Sequence, residues 1–408
     1  MANAINAGDT AWVLVCCSLV LLMTPALGFF YGGMVRRKNL LSTLTLSYTF
    51  MALIGVQWLL FGYSLSFGED IGGLIGGLDL VGFMGVGAAP NPNYGPTIPQ
   101  NVFASFQMMF AVITPALITG AFVERVNFKS FLIFSLVWAT VVYDPLCHWV
   151  WAKGGWLANL GVLDFAGGTV VHIAAGFSAL AFALAIGPRK GYGSFPMEPS
   201  NIPYTVLGAG LLWVGWFGFN AGSALAANGV AGNALLTTNT SGAAAGLVWM
   251  LLSWLDGRPS TLGLATGMVV GLAAITPASG YVTPLAALVI GAVAAPLSYY
   301  AIRFRQNLGW DESLDVWACH GMASTWGLLA TGLFATVGVN PGGGNGLFYG
   351  NPAQIGVQAL AMVVTMVYSF GVTYALAKAL DLSLGLRVST VEEEVGLDIS
   401  AHGERAYS

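Results

Sequence analysis

The chain has 408 residues, of which 56% are hydrophobic and only 8% charged, with a mean hydropathy of +0.74, against about 25% charged in soluble domains. So few charges cannot coat a soluble globule of this size, and a net charge of -4 without any basic stripe excludes a nucleic-acid partner. Backbone groups in a bilayer are satisfied only within helices or closed barrels, and the continuous apolar runs here are of helical span length, unlike the short alternating strands of a barrel.

The leader "MANAINAGDTAW" contains no Lys or Arg. The charged start of a signal peptide is therefore missing, and the run at 11–35 is expected to remain as a span. Apolar runs follow at 43–67, 99–122, 129–150, 165–187, 203–226, 235–256, 261–277, 283–303, 313–336 and 355–380, giving eleven, of which the eighth is short and glycine-rich. Of the 14 Lys/Arg residues, all but Lys153 fall in alternate loops or the tail. This places the N-terminus outside and the C-terminus in the cytoplasm. The glycine-rich loop at 68–98 is then external and able to cover a pore mouth. The tail, 381–408, is a cytoplasmic segment open to a partner. Cys16, Cys17, Cys147 and Cys319 lack paired spacing and read as small hydrophobes.

"LLMTPALGFFYGG" (21–33) aligns without gaps with "LLWVGWFGFNAGS" (211–223). The first run heads inward and the sixth outward, so a real repeat is an inverted one of spans 1–5 and 6–10, with halves at about 11–190 and 203–336 around a central pore and an extra span at 355–380. The expected fold is an all-α polytopic membrane domain over 1–380 followed by a regulatory tail.

Two histidines support that symmetry. His172 follows Asp164 by eight residues in the fifth run, and His320 follows Asp315 by five in the tenth. Each lies about 10 Å from the end at which its helix starts, at 1.5 Å per residue, so the two should face each other near the middle. Ionisable groups at that depth are costly and point to function, although each imidazole can also simply bond a neighbouring helix. Paired neutral imidazoles can share one N–H and accept, donate or relay a proton. Two ligands are too few for a metal site. Asp164 and Asp315 most simply cap their helices.

The stretches "GFFYGGMVRRKN", "SFQMMFAVITPALITGAFVER", "DFAGGTVVH", "GWFGFNAGS", "DVWACHG" and the tail "GLDISAHGERAY" together resemble the Amt branch of the Amt/Rh ammonium transporter family over nearly the whole chain. The resemblance implies that Phe110 and Phe219 are a stacked pore gate. It implies that Trp151, Ser223 and Phe110 form an external ammonium site, in a stretch slightly longer than the family pattern and flanked by Trp149 and Trp156. His172 and His320 match the twin-histidine pair, Asp164 the aspartate below the vestibule, and Trp216 a pore-lining tryptophan. It further implies a homotrimer, a PII-type (GlnK-like) regulator at the cytoplasmic tail, and residence in the inner (plasma) membrane among its lipids. No cofactor is called for.

The expected activity is uptake of NH4+, with methylammonium as an analogue. The ion is recruited at the vestibule and deprotonated, and NH3 passes through a hydrophobic pore while the proton crosses separately, giving electrogenic transport. The alternatives are an electroneutral NH3 channel and an ammonium sensor that signals through the tail. An intramembrane enzyme lacks supporting carboxylates and a nucleophile motif, and a sodium-coupled symporter lacks a legible sodium site.

Overall fold

The computed structural model describes residues 5–407; residues 1–4 of the leader and Ser408 of the tail lie outside the described residues. The helical rods, in chain order, are α1 (Ala7–Met34), α2 (Arg37–Phe67), α3 (Gln100–Ala121), α4 (Phe128–Asn159), α5 (Gly168–Ile186), α6 (Ile202–Gly222), α7 (Gly229–Leu255), α8 (Thr261–Ile275), α9 (Pro284–Asn307), α10 (317–334) and α11 (Ala353–Leu384). Two short tail helices follow, α12 (Thr390–Val395) and α13 (Leu397–His402). Among the described residues nine of these rods are long and apolar enough to cross a membrane, all but α8, α10 and the tail helices. The exceptions α8 and α10 lie where the eighth and tenth runs were expected. With 15 residues, α8 reaches about 22 Å, less than the ~30 Å hydrocarbon core.

Short polar residues start many of the rods. The side chains of Asn6, Asn127, Asn201, Asn228, Ser260 and Thr283 each accept backbone N–H groups of the first turn, which fixes where α1, the α-helical part of α4, α6, α7, α8 and α9 begin.

α1 and α6, which carry the two aligned stretches, pack antiparallel along their length. Asn201 N–H donates to Gly33 O at 3.0 Å at one end, and Trp12 Nε1 to Ala221 O at 3.3 Å at the other. Between them Gly208 lies against the backbone of Phe30, the kind of small-residue contact that lets helices associate without a hydrophobic driving force. Burial ranks the rods: 89% of the α5 window is buried against 22% for α11, so α5 is central and α11 peripheral.

Four segments are wound as π-helix: Trp58–Gly62 in α2, Ala139–Tyr143 in α4, Gly168–Ile173 opening α5 and Trp317–Met322 opening α10. The last two carry His172 and His320. Such turns insert an extra residue, re-aim side chains and often mark functional positions. α5 and α10 cross where Gly176 meets Gly321, backbone against backbone, with no room for a Cβ on Gly176. This contact brings the histidine-bearing turns together.

The bundle presents two faces, an N-terminal face with residues 68–98 and a tail face with the turns at 35–39, 122–127 and 187–201. Residues 68–98 form two short antiparallel β pairs, Asp70–Ile71 with Ile75–Gly76 and Pro90–Asn91 with Gly95–Pro99.

Candidate functional site

On the N-terminal face a cavity of about 170 Å³ is lined by Trp151, Ser223, Phe110, Gln107, Phe165 and Tyr94. Tyr94 belongs to the 68–98 loop, which thus contributes a wall to the mouth. Trp151 ends the longer helical part of α4; its Nε1 donates to Asp164 O at 3.0 Å and its ring meets Phe110 edge-on at 5.8 Å. Ser223 caps the C-terminus of α6, and its hydroxyl donates back to Phe219 O at 2.8 Å. With its proton so engaged, the Ser223 oxygen offers only lone pairs to the cavity. Gln107, one helical turn before Phe110, adds an acceptor: its Oε1 is buried without a partner. The sequence reading missed Gln107, and its only signal was a polar residue on the same helical face as Phe110.

Asp164 does not line this cavity. Its carboxylate accepts the N–H groups of Gly167, Gly168 and Thr169 at 2.8, 2.6 and 2.8 Å and the Thr169 hydroxyl. It is 5% exposed and holds the start of the π turn, with Gly167 supplying a φ of +109° that other residues rarely adopt. The capping expectation therefore describes Asp164 correctly.

For Asp315 it does not. Asp315 has a φ of +60°, which sends its side chain away from the helix it precedes and onto Arg305, at 2.7 Å. The cap of α10 is Glu312, whose two carboxylate oxygens both accept Trp317 N–H at 3.2 Å. Glu312 precedes His320 by eight residues, the same spacing as Asp164 to His172, so Glu312 and not Asp315 is its counterpart. Burial pushes its pKa up to about 8, with Arg305 pulling the other way.

Behind the mouth the rings of Phe110 and Phe219 lie 4.3 Å apart between centroids, tilted at 41°. Next come Phe219 and His172 at 5.8 Å, with Trp216 beside His172 at 5.4 Å, its indole N–H held by Thr276 at 2.9 Å. His172 and His320 then meet Nδ1 to Nδ1 at 3.3 Å, near-parallel at 21°. Two N–H groups facing each other would repel, as would two lone pairs. When both rings are neutral, one therefore holds its proton on Nδ1 and the other on Nε2, so the pair's outer nitrogens are one acceptor and one donor. His172 Nε2 is buried without a partner. His320 opens onto a second cavity, about 330 Å³, whose wall includes Cys319, Asp315 and Tyr31.

The eight residues singled out from the sequence thus fall along one line, except Asp164, which buttresses it. Among the described residues no three His, Cys, Asp or Glu side chains gather as a metal site.

The tail face carries a dense ionic network beneath this line. Glu124, 1% exposed, is held by Arg36 at 3.1 Å, Arg189 at 2.7 Å and Asn39 at 3.0 Å, and Arg189 also grips both oxygens of Asp311. Burial works against ionisation of Glu124 and Asp311, but the arginines outweigh it and hold both pKa values below the usual carboxylate range. The tail is woven in. Val388 N–H bonds Arg125 O at 3.0 Å, Arg387 pairs with Glu393 at 2.6 Å, and Asp398 accepts Ser42 N–H, near the start of α2, at 2.8 Å.

The family model for the Ammonium Transporter Family matches residues 11–407. Among similar proteins are the ammonium transporter Amt1 of Archaeoglobus fulgidus, 50% identical over 98% of this chain and 99% of its own length, and an ammonium transporter of Bacillus subtilis, 47% identical over 98% of both. Among solved structures, Mep2 of Candida albicans superposes with a TM-score of 0.90 at 35% identity, covering 95% of this chain and 88% of that one. A structure described as "Sensor Amt Protein" superposes with a TM-score of 0.89 at 31% identity, covering 97% and 98%. Whole-length identity at this level, on an all-α bundle of apolar rods, places the chain in the ammonium transporter family, a multi-pass membrane transporter with NH4+/NH3 as its substrate.

Proposed function

We propose that NH4+ is captured in the N-terminal-face cavity, gives up a proton there, and crosses as NH3 past the phenylalanine pair and the two histidines into the tail-face cavity. The Trp151 ring offers a cation–π face worth about 0.5–2 kcal/mol. Ser223 and Gln107 supply acceptors for N–H groups, and potassium cannot exploit their lone pairs in the same directional way. Beyond them a bare ion meets an apolar passage whose desolvation penalty is many kcal/mol, while the neutral molecule is penalised far less. One observation carries the reading: the two imidazoles, Nδ1 to Nδ1 at 3.3 Å, are aligned between the phenylalanine pair and the opposite cavity.

The proton crosses separately over the imidazoles, so net transport is electrogenic; the 3.3 Å contact is the relay step that supports this. Reconstituted protein should give an ammonium-evoked inward current, and ammonia flux without current would overturn the electrogenic form in favour of a gas channel. We further propose an external N-terminal face, residence in the plasma membrane, a homotrimer, inverted halves at about 11–190 and 203–336, and a PII-type regulator at the tail. No catalytic step beyond proton transfer is assigned.

A second reading, an ammonium sensor, draws support from the tail's bonds to the 122–127 and 187–190 turns and from the likeness to the structure described as a sensor. Ammonium flux that persists at full rate when the tail is cut at Gly385 would count against signalling through the tail.

A further inference from the structure

The connection from α4 to α5 leaves backbone groups to be paired. Residues 160–167 have no regular structure, yet from Leu163 onward most of them are buried, so their N–H and C=O groups must find partners within the protein. α11 supplies those of Leu163. The Gln358 side chain, fully buried, accepts Leu163 N–H at 2.9 Å and donates to Leu163 O at 2.7 Å, closing both bonds that a neighbouring strand would make. Gln354, one turn earlier on the same face, donates to Gly161 O at 2.9 Å and to Gln358 Oε1 at 3.2 Å. Together these bonds fix which end of the Gln358 amide is the oxygen.

The next two residues carry the mouth. Asp164 O accepts the Trp151 indole N–H at 3.0 Å. Phe165 N–H donates to Pro277 O at 3.0 Å, and its ring meets Tyr281 edge-on at 5.4 Å. The rings of Trp151 and Phe165 both line the N-terminal-face cavity, whereas Gln358 does not reach it. Gly280 has no room for a Cβ beside the Phe165 ring, which leaves that ring little play. α11 does not depend on its glutamines to stay in the bundle. Thr373 accepts the Trp138 indole N–H at 2.9 Å and donates to Ser178 at 2.8 Å, which fastens α11 to α4 and α5 nearer the tail face.

We propose that Gln358 is a positioning residue for ammonium capture. By holding both backbone groups of Leu163 it sets the position of Asp164 O, and through it the orientation of the Trp151 ring toward the cation. The most exposed rod of the bundle thus governs affinity at the mouth without touching the ion. The proposal rests on the reading of this cavity as the capture site.

The test is the ammonium-evoked current of the full chain in proteoliposomes. Gln358→Met, close in volume but without an amide, should raise the ammonium concentration for half-maximal current about fivefold, within what loss of a cation–π face produces, while maximal current stays within about twofold of wild type. Added to Trp151→Leu, the same substitution should cause no further shift, because effects that act through one ring are not additive. Gln354→Met leaves both Leu163 bonds in place and should give a smaller shift, about twofold, that also vanishes beside Trp151→Leu; it carries the test if Gln358→Met fails to fold. Thr365→Val, two turns further along the same buried stripe of α11, should leave both parameters unchanged. Additive shifts in the double variants, a fall in maximal current with half-saturation unmoved, or an equal shift in Thr365→Val overturns the positioning role. A shift in Trp151→Leu with none in either glutamine variant overturns it and leaves the capture site standing, whereas no shift in Trp151→Leu overturns both.

Discussion

The two ends of the passage are built differently. At the N-terminal face a small cavity with acceptors from Ser223 and Gln107 sits over the Phe110–Phe219 pair. At the tail face a cavity about twice as large reaches His320 with no aromatic pair between. Even the caps differ: Asp164 takes three backbone N–H groups and a hydroxyl, whereas the hydrogen bonds to Glu312 come from the first turn of α10 and its charge is opposed by Asp315 nearby. On the proposed route, recognition is concentrated at one end and the other end serves as the release chamber.

The largest break in this asymmetry is expected from Asp164→Ala. Removing a buried carboxylate that serves four donors leaves those donors unpaired and should lower stability by roughly 2–5 kcal/mol, with ammonium flux falling below a tenth of wild type; near-normal flux and melting would show that the mouth does not depend on its cap. Next comes His172→Ala, which puts a water-sized space in the apolar passage. It should admit potassium and reduce the ammonium-to-potassium current ratio roughly tenfold or more, as expected once water can share the desolvation penalty. A ratio unchanged by this variant would place selection wholly at the mouth.

Smaller effects sharpen the account of the mouth. Trp151→Leu removes a cation–π face worth about 0.5–2 kcal/mol and should raise the ammonium concentration for half-maximal current about 2- to 30-fold. Ser223→Ala should raise it roughly fivefold, less than a full charge-assisted hydrogen bond because Gln107 Oε1 remains. The smallest change in flux belongs to Glu312→Gln, below about twofold, because the release end does not select. Its signature is pH. Glu312 titrates at about 8 in the folded chain, above its unfolded value, so the folded state binds the extra proton between those two values and wild-type stability falls as pH rises from about 5 to about 8. Glu312→Gln should flatten that slope in a melting series. A slope unaltered in the variant assigns the titration elsewhere.

Much of this was legible in the sequence because span-length apolar runs report membrane helices directly, and because His172 and His320 stand out against an apolar background. The π turns were not, since hydropathy is blind to one extra residue in a turn, and these turns set which way both imidazoles point. Asp315 was paired with His320 on proximity alone. Its positive φ and its bond to Arg305 are tertiary facts, and they leave the capping to Glu312, one loop residue among several. Ser223 was legible as a member of the external site through the family resemblance, but the bond to Phe219 O that fixes its hydroxyl was not. Nor were the bonds that weave residues 386–398 into the turns at 36–42 and 124–127, which join segments more than 250 residues apart.

The backbone contact between Gly176 and Gly321 bears on how such a conduit can be re-engineered. The crossing of α5 and α10 there is already stripped of side-chain atoms, so nothing remains to trim, and a methyl added to Gly176 would wedge the two helices apart. Tuning for larger alkylammonium cargo therefore has to be done at the rings of Trp151, Phe110 and Phe219, where volume can be removed without parting the frame.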